Sequence, residues 1–446
     1  MKEELLDNKH HKMTTTPVKK LILAMSWPPI ICMLVSTAYN LTDTFTMDNA
    51  NIADTGAIGI VFAYMTMIQA VAFFFGHGSG NFISRSLGRK DRENAKIVAV
   101  LGLYLALITG IIIGAVSFIF CDRVLILLGC TNSILPEARI YFKYIAAATP
   151  FIMGSFVISN QMRLQGNGRY GMTGIASGVI LNMILDPVFI LGMKKGIAGA
   201  GLATMISQIF GFVILMIISG KKDGLVLSLK FFKPTKARLY EIYAAGIPSL
   251  MRQGFSSVAA ICINNVASGY GDEMVAAISV VTRITFFTNS ILMGFGQGFQ
   301  PICGFNFGAR LYQRVKNAFW YCVKIALIFM CVMGAVGFIF AHGIVAFFSE
   351  DVKIIETAVI ALRFQCLSAP LVGFAILGNM YLQNISKTIS AVFTAMTRQG
   401  ILFIPVLYML NHFFGMTGVL ITQMVADICA FIITLFCTLK YINKTD

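Results

Sequence analysis

Hydrophobic positions along this chain fall in continuous runs instead of alternating with polar ones, and the runs are long. Stretches of about twenty or more mostly apolar residues recur from Leu21 to Leu439, the length an α-helix needs to cross a bilayer. Strands of a membrane barrel would alternate over about ten residues, so the pattern predicts an all-α integral membrane protein. Twelve spans are expected, over about 17–46, 54–84, 95–120, 135–162, 169–193, 197–219, 239–269, 274–308, 316–341, 354–384, 388–411 and 415–439. Composition agrees: the 446 residues are 57% hydrophobic and 12% charged, where a soluble domain carries roughly 25% charged residues.

Net charge is +15, and its placement decides what it means. Segments before the odd-numbered spans, with the C-terminal tail, hold 24 lysines and arginines, against 5 in the alternate loops. Basic loops stay on the cytoplasmic side, so both termini are expected in the cytoplasm and the protein in the cell membrane, inner or plasma. The excess charge is topology, and no nucleic-acid partner is expected. The charged N-terminal segment leads into a span longer than a signal peptide, so no cleavage is expected there. Ten cysteines show no CxxC spacing; Cys121 and Cys130 flank one outer loop, and a disulfide between them is left open.

The longest basic loop, residues 221–238, divides the chain into an N-terminal lobe (1–220, spans one to six) and a C-terminal lobe (239–446, spans seven to twelve). The halves repeat. "FGHGSGNFISRSLGRK" (75–90) aligns without a gap with "FGQGFQPICGFNFGAR" (295–310), and Pro28 parallels Pro248. Repeats of six spans share orientation, as in parallel-repeat transporters, which suggests two pseudo-symmetric six-helix lobes around a central cleft.

Polar content is unequal between the halves. Ser36, Asn40 and Asp43 share one face of span one, Asn182 and Asp186 one face of span five, and Thr204 and Gln208 one face of span six. Asp43 and Asp186 align with Ile263 and about Ile404 in the second half, whereas Pro187 keeps its partner Pro405. A structural need common to both halves explains the proline and not the carboxylate. An aspartate within a span costs about 2.5–3.5 kcal/mol on insertion scales. Carboxylates sharing a pocket hold a proton more readily through desolvation and mutual repulsion, and an oxygen-rich set would also suit Na⁺. In the second half Arg252, Arg283, Arg363, Arg398 and Asp427 lie within spans. Asp427 is expected to pair with one of these arginines or with Gln423, because a buried charge is costly alone. No Walker A string, HExxH or cysteine cluster occurs, and the short Gly-x-Gly strings read as close-packing glycines. No nucleotide, resident metal or other cofactor is expected, nor an enzymatic activity.

"GFGQGFQPICGFNFGAR" closing span eight, "AYNLTDTF" in span one and "SRSLGRKDRENA" after span two resemble the signature stretches of the multidrug and toxic compound extrusion family. The resemblance covers essentially the whole chain. It implies a secondary antiporter that exports hydrophobic, often cationic compounds in exchange for H⁺ or Na⁺. It also implies a first-lobe cation site at Asp43, Asn182, Asp186 and Thr204, with Asn40, Tyr141 and Asn160 as further members. Pro28, fifteen residues before Asp43, would be the hinge about which span one bends. One branch binds sodium in its second lobe through acidic residues of spans seven and ten; here "GIPSLMRQGFSS" in span seven and "LRFQCLSAPLVGFA" in span ten carry no carboxylate. The alternative within the broader superfamily is a flippase of lipid-linked oligosaccharides or polysaccharides. A monomer in the lipid bilayer, with small-molecule substrates, is the expected working unit.

Overall fold

The computed structural model describes residues 2–46, 52–131, 134–221 and 228–443, with side chains described except at 2–8, 36–46, 52–56, 191 and 221. The described residues fold as helices and connecting turns. They are α1 (Lys2–Thr15), α2 (Val18–Thr46), α3 (Ile52–Gly88), α4 (Arg92–Ile119), α5 (Cys121–Leu127), α6 (Leu135–Met162), α7 (Gly168–Pro187) and α8 (Gly196–Lys221). The second half follows with α9 (Lys236–Ser268), α10 (Asp272–Gly308), α11 (Tyr312–Ile339), α12 (Ala341–Ala346), α13 (Val352–Asn384), α14 (Thr388–Met396) and α15 (Phe403–Ile442).

Nine segments among the described residues are long and apolar enough to cross a membrane. Two of them, Leu135–Ile190 and Thr388–Ile442, run 56 and 55 residues. As straight helices they would each measure about 80 Å, against a hydrocarbon core of about 30 Å. Each is interrupted by a glycine outside helical geometry, Gly166 (φ 81°) and Gly415 (φ 56°, ψ −134°), conformations that glycine adopts without a Cβ clash. Polar capping starts other helices: Asp91 accepts from the Asn94 amide at 3.2 Å ahead of α4, and Asp351 from the Lys353 amide at 2.8 Å ahead of α13, satisfying first-turn donors.

The chain divides into two compact units. One gathers Met1–Thr15 with Ile31–Gly246, the other Thr16–Ile30 with Ile247–Asp446. In the first, α6 is the central helix, packed by α3, α4 and α8; in the second, α13 is central, packed by α10, α11 and α15. Pro150 in α6 and Pro370 in α13 occupy matching places. Left-handed residues recur in the same way, Lys90 with Arg310, Gly166 with Ser386 and Gly196 with Gly415. The repeat in the sequence is therefore a repeat of backbone geometry.

Two short stretches sit with the unit their sequence position would not suggest. Residues 16–30 of α2 join the second unit, where Ser26 Oγ donates to the Phe295 carbonyl at 3.1 Å. Gly298, one turn further along α10, leaves the room that Ser26 fills. Residues 236–246 of α9 join the first unit, where Arg85 pairs with Glu241 at 3.3 Å and Phe74 stacks on Tyr243 with centroids 5.5 Å apart. The changeover in α2 falls directly after Pro28 and Pro29, and that in α9 directly before Pro248. Proline lacks the N–H that would rigidify those turns.

Candidate cation-coupling site

The first unit holds the carboxylate-bearing layer. Asn182 and Asp186 stand one turn apart on α7, and Asn182 Nδ2 donates to Asp186 Oδ1 at 3.1 Å. Asn182 is 6% exposed, and Asp186 is half-buried. Pro187 follows at once and offers no N–H to the Met183 carbonyl one turn back. A π-helical turn, Val188–Gly192, comes next, a wider coil that often marks functional positions. The span thus loosens where its charge lies.

Packing between α7 and α8 fixes which residues share this level. A Cβ at Gly178 would lie 3.0 Å from the Ser207 carbonyl, and one at Gly211 would lie 2.9 Å from the Gly174 carbonyl. The two helices therefore run antiparallel in near backbone contact. Continuing that register brings Asn182 level with Thr204, and Asp186 level with Gly199 and Ala200. Thr204 is buried and its hydroxyl donates to the Ala200 carbonyl at 3.0 Å, which leaves acceptor lone pairs on its oxygen. From α6, the rings of Tyr141 and Tyr144 close on Gly201. Tyr141, Asn182, Asp186 and Thr204 accordingly lie in one layer built from α6, α7 and α8.

Asn160 lies elsewhere on α6. Its Nδ2 donates to the Phe156 carbonyl at 2.7 Å, and its Oδ1 accepts from Arg163 Nη2 at 2.6 Å. Arg163, which the sequence assigns to a cytoplasmic loop, is 1% exposed and also contacts His77 Nε2 at 3.0 Å. His77 in turn stacks on Phe73, centroids 5.2 Å apart. This buried Arg–His–Asn group had one sequence signal, a histidine inside an apolar run. Asn40 and Asp43 lie on α2, and their side chains are outside the described residues. Pro28 stands within α2 as expected. Cys121 and Cys130 are both free thiols.

In the second unit Asp427 meets the expected partners. Its Oδ1 accepts from Arg398 Nε at 2.7 Å and from Gln423 Nε2 at 3.0 Å, and its Oδ2 from Ser368 Oγ at 3.3 Å. Arg252 donates to Asn379 Oδ1 at 3.4 Å, and Arg363 lies over the Phe338 ring, 5.5 Å from its centroid. The second unit's carboxylate is thus held by a fixed cation and two neutral donors.

A polytopic helical protein made of two backbone repeats, with a carboxylate layer in one of them, is the build of a membrane transporter. The chain belongs to the MatE family, which it matches twice, over residues 28–188 and 248–409. It is 31% identical over 418 residues to the multidrug export protein MepA of Staphylococcus haemolyticus, covering 93% of this chain and 92% of that one. It is 30% identical to MepA of Staphylococcus aureus over 437 residues, covering 96% and 95%. Among solved structures, an outward-facing multidrug resistance MATE family transporter of the MOP superfamily superposes with a TM-score of 0.91 at 26% identity, covering 98% of each chain.

Proposed function

We propose that this protein is a twelve-span secondary transporter that expels hydrophobic, often cationic compounds from the cell in exchange for H⁺ or Na⁺. Both chain termini would lie in the cytoplasm. Asp186 is the coupling carboxylate described in atomic detail, and Asp43 its partner on span one. Asn182 and Thr204 hold the cation with them, and Asn40 and Tyr141 complete the polar surroundings, whereas Asn160 is engaged by Arg163 at another level of α6. Cation uptake bends span one about Pro28, contracts the first-lobe pocket and expels the compound. Competition between cation and compound for the same carboxylates links the two fluxes.

The observation that carries this reading is Asp186 on a glycine-packed span, hydrogen-bonded by buried Asn182 and lacking a carboxylate counterpart in the second repeat. The multidrug export proteins among its relatives support drug efflux over lipid-linked sugar flipping. Energetically, one pH unit supplies about 1.4 kcal/mol per proton, and 100 mV supplies about 2.3 kcal/mol per charge moved. Exchange of one proton for a monovalent cation moves no net charge, so ΔpH alone drives it, to about tenfold per unit. A neutral compound draws on both terms and reaches several hundredfold.

The test is ethidium transport in inverted membrane vesicles under an imposed ΔpH or, separately, an imposed Na⁺ gradient. Uphill movement with either one, and none with both collapsed, is the expected result. Movement that only follows the dye's own gradient would rule out antiport.

A further inference from the structure

The second unit carries an open cavity of about 520 Å³, within the roughly 300–1,000 Å³ range of sites for drug-sized ligands. It lies among α9, α10, α11, α13 and the stretch from α14 into α15. Its walls are largely apolar, with Ile278, Val281, Met330, Met333, Leu362 and Phe403 among them. Ile263 also lines it, where the first repeat carries Asp43. Three charged side chains reach this cavity: Arg283, Arg398 and Asp427.

Their bonding leaves the positive charge in excess. Asp427 accepts from Arg398, Gln423 and Ser368 and is only 3% exposed, so its oxygens are taken up. Arg398 reaches Asp427 through Nε alone, and its side chain keeps 20% exposure. Its Nη1 and Nη2 make no hydrogen bond among the described residues. Arg398 sits in the π-helical turn Thr397–Ile401, whose Gly400 packs directly on the Phe255 ring. The wider coil thus carries the guanidinium to the cavity wall. Arg283, from α10, is exposed and has no ion pair among the described residues.

A guanidinium offers a planar fork of donors that matches carboxylate or sulfonate geometry and remains charged at any physiological pH. Methionine and aromatic walls adapt to varied hydrocarbon shapes. We propose that this cavity binds small amphiphiles with a single anionic carboxylate or sulfonate head. The terminal nitrogens of Arg398 and the Arg283 guanidinium grip the head, and the apolar walls take the body. Its charge preference is opposite to that of the first-lobe carboxylates, and it does not depend on their coupling role.

The experiment uses the full chain in nanodiscs of zwitterionic lipid, with 11-(dansylamino)undecanoic acid as fluorescent probe and its methyl ester as the uncharged match. Excess unlabelled undecanoic acid defines the saturable part of the signal, and 1-pyrenesulfonate provides the sulfonate arm. Saturable binding of the acid at least tenfold tighter than the ester is expected. Arg283→Gln should weaken the acid at least fivefold and leave the ester unchanged. Arg398→Gln alone would strand Asp427, so the double variant R398Q/D427N serves for that position, and it should weaken the acid by a similar factor. Equal binding of acid and ester overturns the proposal. So does acid binding that neither Arg283→Gln nor the folded double variant changes. Competition by pyrenesulfonate extends the site to sulfonates; its failure would restrict the proposal to carboxylates and overturn the sulfonate part.

Discussion

On the proposed mechanism Asp186→Asn removes a carboxylate that takes up the coupling cation while preserving side-chain volume, and the structure allows its separate effects on folding and transport to be estimated. Asn182 Nδ2 donates to Asp186 Oδ1 at 3.1 Å, and an asparagine keeps an acceptor oxygen in that place. A hydrogen bond to an ionised acceptor contributes roughly 1.5–3 kcal/mol and one to a neutral acceptor roughly 0.5–1.5, so about 1–1.5 kcal/mol is lost. Against that, an ionised side chain at a span centre costs about 2.5–3.5 kcal/mol, a cost the neutral amide reduces. These terms offset, so the variant should fold in normal yield with a melting temperature at or slightly above the parent's. Transport should respond differently. With one proton per cycle, a unit of ΔpH sustains about a tenfold ethidium gradient; without a titrating group the sustained ratio falls to one. The assay is ΔpH-driven ethidium accumulation in inverted vesicles at matched amounts of folded protein, alongside thermal denaturation in detergent. A folded Asp186→Asn protein that builds the parent's gradient would refute the coupling role.

The other expectations can be checked on purified protein. Arg398→Gln leaves Asp427, with 4% side-chain exposure, facing only neutral donors. Breaking a buried pair costs about 3–5 kcal/mol, and partial exposure of Arg398 places this one nearer 2–3, so the melting temperature should drop, and R398Q/D427N should recover most of the loss. Gly178→Leu drives a side chain into the Ser207 carbonyl; overpacking of this kind costs about 1–3 kcal/mol, and it should reduce both stability and ΔpH-driven efflux, whereas Gly220→Leu, with open space around it, should change neither. Burial pushes the Cys121 and Cys130 thiols up, so thiolate is scarce at neutral pH. Maleimide labelling of these positions should be slow at pH 7 and speed up as pH rises, and gel mobility should be the same with and without reductant.

Some span positions were legible in the sequence. The expected start near 135 and end near 162 for span four, for example, coincide with α6. Shorter elements escaped the pattern. α1 is mostly charged and polar, yet it buries Met13 at 1% exposure and lays Lys9 and Met13 along Gly166. α5 and α12 are only 7 and 6 residues long, too short for periodicity to register. Within the candidate site, the four-residue spacing of Asn182 and Asp186 gave their hydrogen bond directly. The level of Thr204 depended on α7–α8 register, which glycine contacts set. Asn160 shows the limit of such reasoning: it is polar and inside a span, but its bond goes to Arg163, an arginine that local sequence reads as loop. The second unit's cavity is assembled from residues between Ser256 and Asp427, and no local stretch announces it.

The two repeats share their prolines and left-handed residues but solve the problem of intramembrane charge differently. A proline kink costs the same hydrogen bond wherever it falls, so Pro187 and Pro405 can serve one architectural purpose. A carboxylate's cost depends on its neighbours. Asp427 has Arg398 at 2.7 Å, a charged partner that holds the carboxylate in a fixed place. Asp186 accepts from Asn182 at 3.1 Å, a neutral donor. On the proposed mechanism, alternating occupancy by a cation would belong to the first repeat, where Asp186 accepts from a neutral asparagine. The first repeat's Asp43 and Asp186 are matched by isoleucines in the second, and there the cavity keeps a permanent positive excess. The two repeats thus share backbone features and differ in how they surround an intramembrane carboxylate.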